Sequence, residues 1–458
     1  MKGKKKNIKL STMQILALGF FGVILAGGVL LWLPVCNTKP ITFVDALFTS
    51  TTSVCVTGLV TVTAATQFTL LGKIIMLILI QIGGLGVIAC ATAFFMIIRK
   101  KITVKERVII QETYNLDTLS GMVLLIKKIL KGTFFVEGIG AILFSFQFVP
   151  EYGVIRGMWY AVFHSVSAFC NAGIDILGTD SFMHYAKNPL INLTTMTLIV
   201  LGGIGFTVWT DVLHSCSAHR KKKMPGKTWF GRLTLHSKMA ISMTIILIVF
   251  GTLNFLFMEY SNPDTFGGMN FGQKLMASAF HSVSTRTAGF ATVSQGDLHI
   301  ASKFFSCFLM FIGGSPGGTA GGVKTTTVAM LFLTCISVLK DREDTECFKR
   351  KIPMANVRTG FSVVMVAFTF LMTGTMLVAI LESNIYFIDI LYETTSAIAT
   401  VGLSAGITSS LCTASKCVII MLMYIGRIGP VTLALAFGIK GNIKDKIREL
   451  PIRRIMVG

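Results

Sequence analysis

Long apolar stretches alternate with short polar ones along the whole chain. Eight of them approach or exceed the roughly 20 residues a helix needs to cross a bilayer core: 13–33, 71–98, 126–149, 190–213, 239–258, 303–338, 360–381 and 416–438. Eight spans put both termini on one side. On the opposite side the connections carry a second kind of segment, moderately apolar and rich in Ser and Thr, such as ITFVDALFTSTTSV and IDILYETTSAIA. These are too short to span and read as re-entrant helices.

Aligned with one another, the re-entrant segments end in CVTGL (55–59), CNAGI (170–174), RTAGF (286–290) and ATVGL (399–403). Their glycines, Gly58, Gly173, Gly289 and Gly402, are separated by 115, 116 and 113 residues. Each is followed 24 to 29 residues later by another glycine in the next span: Gly83, Gly202, Gly313 and Gly426. Such regular self-similarity marks an internal repeat. The expected fold is an all-α integral membrane protein with eight transmembrane helices and four re-entrant pore helices, in four pseudo-fourfold copies of helix, pore helix, loop, helix. The copies run 1–115, 116–230, 231–350 and 351–440, followed by a basic tail at 441–458.

Composition agrees with a membrane chain: 53% hydrophobic, 14% charged, mean hydropathy +0.72. The first span follows KGKKKNIK but is longer than an apolar signal core and lacks a small-residue cleavage site, so it is expected to be retained. Most of the 42 Lys and Arg fall within 2–9, 99–131, 220–238, 340–358 and 440–454, the tails and loops of one face. By the positive-inside rule that face, with both termini, is cytoplasmic and the protein is a multi-pass protein of the cell membrane. The net charge of +21 is therefore a signal of orientation and of contact with anionic lipids, and no nucleic-acid partner is expected.

Four re-entrant loops in one chain can encircle a single axis. Irregular backbone is tolerated at membrane depth only where it lines a cavity or is buried in protein, and rings of backbone carbonyls can replace the water shell of a cation. Thr400-Val401-Gly402 matches the start of the TVGYG loop of potassium channels. Each pore helix would aim the negative end of its dipole at the centre. Asp45 and Asp389, each 13 residues before a loop glycine, suit the positive end as helix-capping residues.

Here the chain resembles the potassium transporters of the TrkH/TrkG/KtrB superfamily. The resemblance covers essentially the whole chain and rests on VTGL (56–59), NAG (171–173), FHSVSTRTAGF (280–290), ETTSAIATVGL (393–403), QIGGLG (81–86), GGIGFTV (202–208) and IGRIGP (425–430). It implies one pseudo-fourfold potassium pore, often stimulated by sodium, with no cofactor bound by the chain itself. The filter positions carried over are Val56, Thr57, Gly58; Asn171, Ala172, Gly173; Thr287, Ala288, Gly289; and Thr400, Val401, Gly402. Each repeat has one filter glycine where TVGYG has two, so fewer tight sites and looser selectivity are expected. The second repeat has Ile174 where an aromatic is common. The resemblance further implies a homodimer, to which the tail contributes, on a cytoplasmic KtrA-like nucleotide-binding ring.

The sixth span contains FIGGSPGGTAGGVKTTT (311–327), six glycines and a proline within membrane. Glycine costs about 1 kcal/mol and proline about 3 against alanine in a helix, so the helix should break. In the family an intramembrane loop at this place is regarded as the gate, here Gly313, Gly314, Ser315, Pro316, Gly317, Gly318, Thr319, Ala320, Gly321, Gly322 and Lys324. The family also places an Arg against that loop, here Arg427. The similarity of GGTAGGVKT to a phosphate-binding loop is spoiled by Val323, which separates Gly322 from Lys324, and by the lack of any βαβ context.

The remaining conspicuous residues have structural expectations. His164 and His281 should pack the pore helices, Arg286 should brace the third loop, and Glu137 should hydrogen-bond between helices. Ten cysteines without a CxxC spacing indicate neither a disulfide framework nor a zinc site. No loop is large enough for a nucleotide-binding domain, so flux must follow ion gradients and the chain is not expected to be an enzyme. A sodium-translocating accessory subunit and a secondary cation transporter with a closed substrate site are the alternatives.

Overall fold

The computed structural model describes residues 12–97, 122–222 and 227–429. The N-terminal lysine cluster, most of the first basic cytoplasmic stretch, the end of the eighth span and the tail at 441–458 lie outside the described residues.

Among the described residues four unbroken helices are long and apolar enough to cross a membrane: Thr12–Trp32, Met122–Tyr152, Leu235–Glu259 and Met354–Leu381. Their outer faces expose large apolar side chains such as Phe21, Phe135, Phe146, Phe257, Phe361 and Ile380. In water such a surface would drive association; against lipid tails it is the solvated surface.

Each outer helix leads into a pore helix: Phe43–Cys55, Val154–Phe169, Phe271–Ser284 and Phe387–Ala399. Capping residues set two of the starts. Thr42 accepts from the Asp45 amide, and Asn270 forms a capping box with Gln273. Each pore helix is followed by an irregular strand that joins no sheet, and then by an inner helix. The inner helix of each repeat packs on the pore helix of the next, and the fourth packs on the first. The four repeats therefore close into a ring.

The expected break in the sixth span is present, and the other inner helices are divided as well. All four stop or break within a few residues of the repeated glycines Gly83, Gly202, Gly313 and Gly426. Leu70–Leu85 and Val87–Ile97 are separated at Gly86, and Pro189–Gly203 and Phe206–Lys222 at Ile204 and Gly205 with a bend of 96°. Ile300–Phe311 and Thr325–Leu339 are joined by the glycine-rich loop, and Thr413–Ile428 ends at Gly429. Gly86, Gly205 and Gly429 all have positive φ, 88°, 99° and 94°, a conformation that glycine adopts without steric cost.

Hydroxyls explain why the pore helices are rich in Ser. Ser50, Ser165 and Ser282 donate to the outer-helix carbonyls of Ile24, Glu137 and Ile248 at 2.7, 2.6 and 2.9 Å. Each seryl oxygen occupies the space where a Cβ would stand on Gly27, Gly140 or Gly251. Leu79, Leu198 and Leu309 of the inner helices press on those same glycines, as Leu422 presses on Gly374 in the fourth repeat.

Candidate functional site: a glycine ring at the repeat axis

Each pore helix ends where the backbone turns left-handed at a residue other than glycine. Val56, Asn171, Thr287 and Thr400 have φ of 55°, 59°, 69° and 52°. Such a conformation costs about 1–3 kcal/mol per residue and persists only where the surroundings over-determine it. The β-branched Val and Thr members are the least suited to it. Two residues later comes the repeated glycine, again with positive φ: Gly58 105°, Gly173 62°, Gly289 79°, Gly402 91°. Reversing the sign of φ at alternate residues turns successive carbonyls toward one side of a strand.

The four glycines meet. A methyl group on Gly58 would stand 2.7 Å from the Ala172 carbonyl oxygen, one on Gly173 2.5 Å from that of Ala288, and one on Gly289 2.7 Å from that of Val401. A methyl on Gly402 would overlap the Thr57 carbonyl oxygen, which completes the cycle back to the first repeat. Thr57, Ala172, Ala288 and Val401 are themselves fully buried. The ring is thus made of backbone, and only glycine fits it.

Pore-helix hydroxyls hold the strands. Thr52 Oγ1 accepts from the Gly58 amide at 2.8 Å and Ser396 Oγ from the Gly402 amide at 2.9 Å. Ser167 and Ser284 instead donate to the carbonyls just past the glycine, Ile174 at 2.6 Å and Phe290 at 2.5 Å. The second row of glycines has an equally local cause. A Cβ on Gly83, Gly202 or Gly426 would collide with the carbonyl of Val54, Phe169 or Ile398, at the C-terminus of the pore helix in the same repeat. Gly313 meets Gly321 of the glycine-rich loop instead.

Electrostatics favour a cation here. Four helix C-termini, each equivalent to about half a negative charge, end within a few residues of the ring. Outside it lies a cavity of about 510 Å³ bounded by all four glycines, whose ionisable lining consists of Asp175, Asp180 and Asp297. Such a cleft concentrates cations.

The loop at 312–324 lies on the inner side of the ring. Ser315 and Thr319 donate their amides to Gly203 and Gly202 at 2.9 and 3.2 Å, and Phe206 donates to Gly317 at 2.9 Å. Pro316 presses its carbonyl on Gly205, so Pro316, Gly317 and Gly318 fill the break in the second inner helix. Gly321 abuts the Thr400 hydroxyl, and Thr319 Oγ1 donates to the Phe169 carbonyl at 3.2 Å. Ser315 and Thr325 pair their hydroxyls at 3.0 Å, and Gly314 accepts from the Thr325 amide at 3.0 Å. Lys324 Nζ closes the loop on the Ala320 carbonyl at 2.7 Å. Arg427 donates to the carbonyls of Thr319 in the loop and Gly83 in the first inner helix.

His164 lies among Phe148, Tyr160, Phe163 and Phe182, and His281 lies against Phe255 with its Nε2 3.1 Å from Ser306 Oγ. Arg286 is buried behind the third strand with one nitrogen 3.3 Å from Thr244 Oγ1. Glu137 accepts from Gln81 at 3.1 Å. The ten cysteines are free.

Sequence reasoning missed one set of residues. Lys416 pairs with Asp45 at 2.9 Å and Lys303 with Asp389 at 2.7 Å, each joining an inner helix to the pore helix of the next repeat. The signal was present: Lys73, Lys303 and Lys416, with Asn192 in the second repeat, all stand ten residues before the inner-helix glycines.

The family model described as TrkH, cation transport protein, matches residues 11–446. The chain is 39% identical to the Ktr system potassium uptake protein B of Bacillus subtilis, over 94% of each chain. It is 38% identical to the potassium/sodium uptake protein NtpJ of Enterococcus hirae, over 99% of each. Its fold is similar to the crystal structure of the potassium transporter TrkH from Vibrio parahaemolyticus, with a TM-score of 0.74, 17% identity, and coverage of 95% of this chain and 86% of that one. A membrane chain that closes four glycine strands around one axis and matches this model over nearly its whole length belongs to the TrkH family of cation transport proteins.

Proposed function

We propose that this chain carries potassium into the cell through the axis of its four repeats, with the glycine ring as selectivity filter. The observation that carries this reading is the closed cycle Gly58, Gly173, Gly289, Gly402, each glycine packed on the carbonyl preceding the next. A ring of backbone carbonyls outside four convergent helix C-termini, under an acidic mouth, offers a dehydrated monovalent cation a replacement for its water. Relatives named as potassium uptake proteins support potassium as the ion, and the relative named for potassium and sodium supports a part for sodium, as activator or as second cargo.

The loop containing Gly313 to Gly322 and Lys324 acts as the gate, and Arg427 holds it against the inner helices. The basic face is cytoplasmic, with both termini. There a homodimer of this chain docks on a separate nucleotide-binding ring; relatives named as components of a Ktr system support a multi-subunit assembly.

The test is growth rescue, with rubidium and sodium uptake, in a potassium-uptake-deficient bacterium expressing wild type or Gly402→Ser, with and without a KtrA-like partner. Rescue at low potassium, with loss of potassium preference in Gly402→Ser at normal membrane levels, is the expected result. An unchanged preference in that variant overturns the filter assignment.

A further inference from the structure

Nine residues before Gly402 the fourth pore helix carries Glu393, a carboxylate with no exposed surface. Thr408 donates its hydroxyl to Oε1. Ser404 Oγ stands 2.9 Å from Thr408 Oγ1, and the Ala405 amide is also turned toward the carboxylate. Oε2 has no hydrogen-bond partner among the described residues. Ser404, Ala405 and Thr408 all line the outer cavity. Glu393 therefore grips from behind the stretch that leaves the ring at Gly402.

The opposite repeat has a counterpart. Nine residues before Gly173 stands His164, also fully buried. Its Nδ1 lies 2.7 Å from the Tyr160 carbonyl and so carries the proton, which leaves Nε2 to accept from the Ile176 amide at 3.4 Å. Ile176 is three residues past its glycine, as Ala405 is past Gly402. Repeats one and three have Thr49 and Phe280 at this position. Thr49 turns its hydroxyl back to the Asp45 carbonyl at 2.8 Å, and phenylalanine offers no polar atom.

A buried carboxylate is expensive unless neighbouring donors hold it. Geometry shows what it holds. Ser396 ties the Gly402 amide to the pore helix, and Glu393 ties Thr408 further along; the chain that leaves the ring, Gly402 to Ser404, is held between these two anchors and braces the Thr400 to Gly402 turn from its outer end.

We propose that Glu393, matched across the axis by His164, is a positioning residue that sets ion selectivity by fixing the strand that leaves the ring. This rests on the axial-pore reading above. The test uses the full chain in the uptake-deficient bacterium and compares wild type, Glu393→Gln, Glu393→Leu, Thr408→Val and Gly402→Ser. It reads membrane abundance, the KM and maximal rate for rubidium, and the rubidium-over-sodium preference.

Glu393→Gln keeps an oxygen toward Thr408 and stays within about threefold of the wild-type preference. Glu393→Leu and Thr408→Val lose about tenfold, the scale of one hydrogen bond to a charged group. A role confined to stability would lower abundance and maximal rate and leave preference and KM alone. Wild-type preference in both Glu393→Leu and Thr408→Val overturns the inference, and if Glu393→Leu does not accumulate, Thr408→Val decides alone. If only Gly402→Ser shifts preference, the Glu393 assignment falls and the filter stands; if Gly402→Ser also leaves preference unchanged, the axial-pore reading falls.

Discussion

Lys416 and Asp45, 371 residues apart in sequence, form an ion pair of 2.9 Å that ties the last inner helix to the first pore helix. Each side chain is 14% exposed, and Asp45 also accepts from Thr42 at 2.7 Å. The pair closes the ring at the seam between the two ends of the chain, and Lys303 with Asp389 repeats it one position earlier. Removing one partner leaves a largely buried charge uncompensated, at a cost of about 3–5 kcal/mol where burial is complete. Lys416→Met should therefore lower the unfolding temperature in detergent markedly, and Lys416→Met with Asp45→Asn should recover part of it. Equal losses in the single and double variants would show that the pair does not couple the seam.

Gly140 and Ser165 make a second testable contact. A methyl on Gly140 would overlap Ser165 Oγ and stand 2.7 Å from a Leu198 methyl. Overpacking a tight contact costs about 1–3 kcal/mol, so Gly140→Ala should be destabilised by that much, read as loss of monodispersity on heating. Adding Ser165→Ala makes room and should restore part of the loss, as expected for residues in contact. A Gly140→Ala protein as stable as wild type would refute the tight-packing account.

These contacts also show what the sequence makes legible. Gly58, Gly173, Gly289 and Gly402 can be found without a structure because a ring position that admits no Cβ admits one residue type, so identity itself repeats. The line Gly27, Gly140, Gly251 and Gly374 repeats as well, but its separations of 113, 111 and 123 residues are blurred by connections of unequal length. The ion pairs stay hidden because each lysine's partner lies in another repeat. The breaks at Gly86 and Gly205 stay hidden because the apolar run continues across them, and average hydropathy is blind to a single residue of positive φ. Lys324 and Arg427 stand out in the sequence as charges within apolar segments, yet only the fold reveals that Arg427 bridges Thr319 and Gly83.

Arg427 is expected to govern opening. Its bonds to the loop carbonyl of Thr319 and to Gly83 are charge-assisted, and each such bond is worth about 1.5–3 kcal/mol. Losing one shifts a closed-to-open balance by about ten- to a hundredfold. Arg427→Ala should raise rubidium uptake by the chain expressed without a regulatory partner, while Arg427→Lys, which keeps the charge but loses the fork, should fall between. Unchanged uptake and gating in Arg427→Ala would remove it from the gate.

In the cavity beyond the ring, Asp175 is expected to link pH to uptake. Burial pushes its carboxyl up to about 6, against the pull of the Gly178 and Leu177 amides. Asp180 and Asp297 share the cavity lining, which contains no basic side chain among the described residues. With its pKa raised, Asp175 carries its charge above about pH 6 and loses it as pH falls through that value. The mouth should then attract cations less strongly. The KM for rubidium at low ionic strength should rise about two- to threefold between about pH 7.5 and 5.5, and high salt should flatten the change. Asp175→Asn should hold the acid-side KM at every pH. A variant whose profile still bends in parallel with wild type would assign the titration to another group and leave Asp175 without a part in gathering the ion.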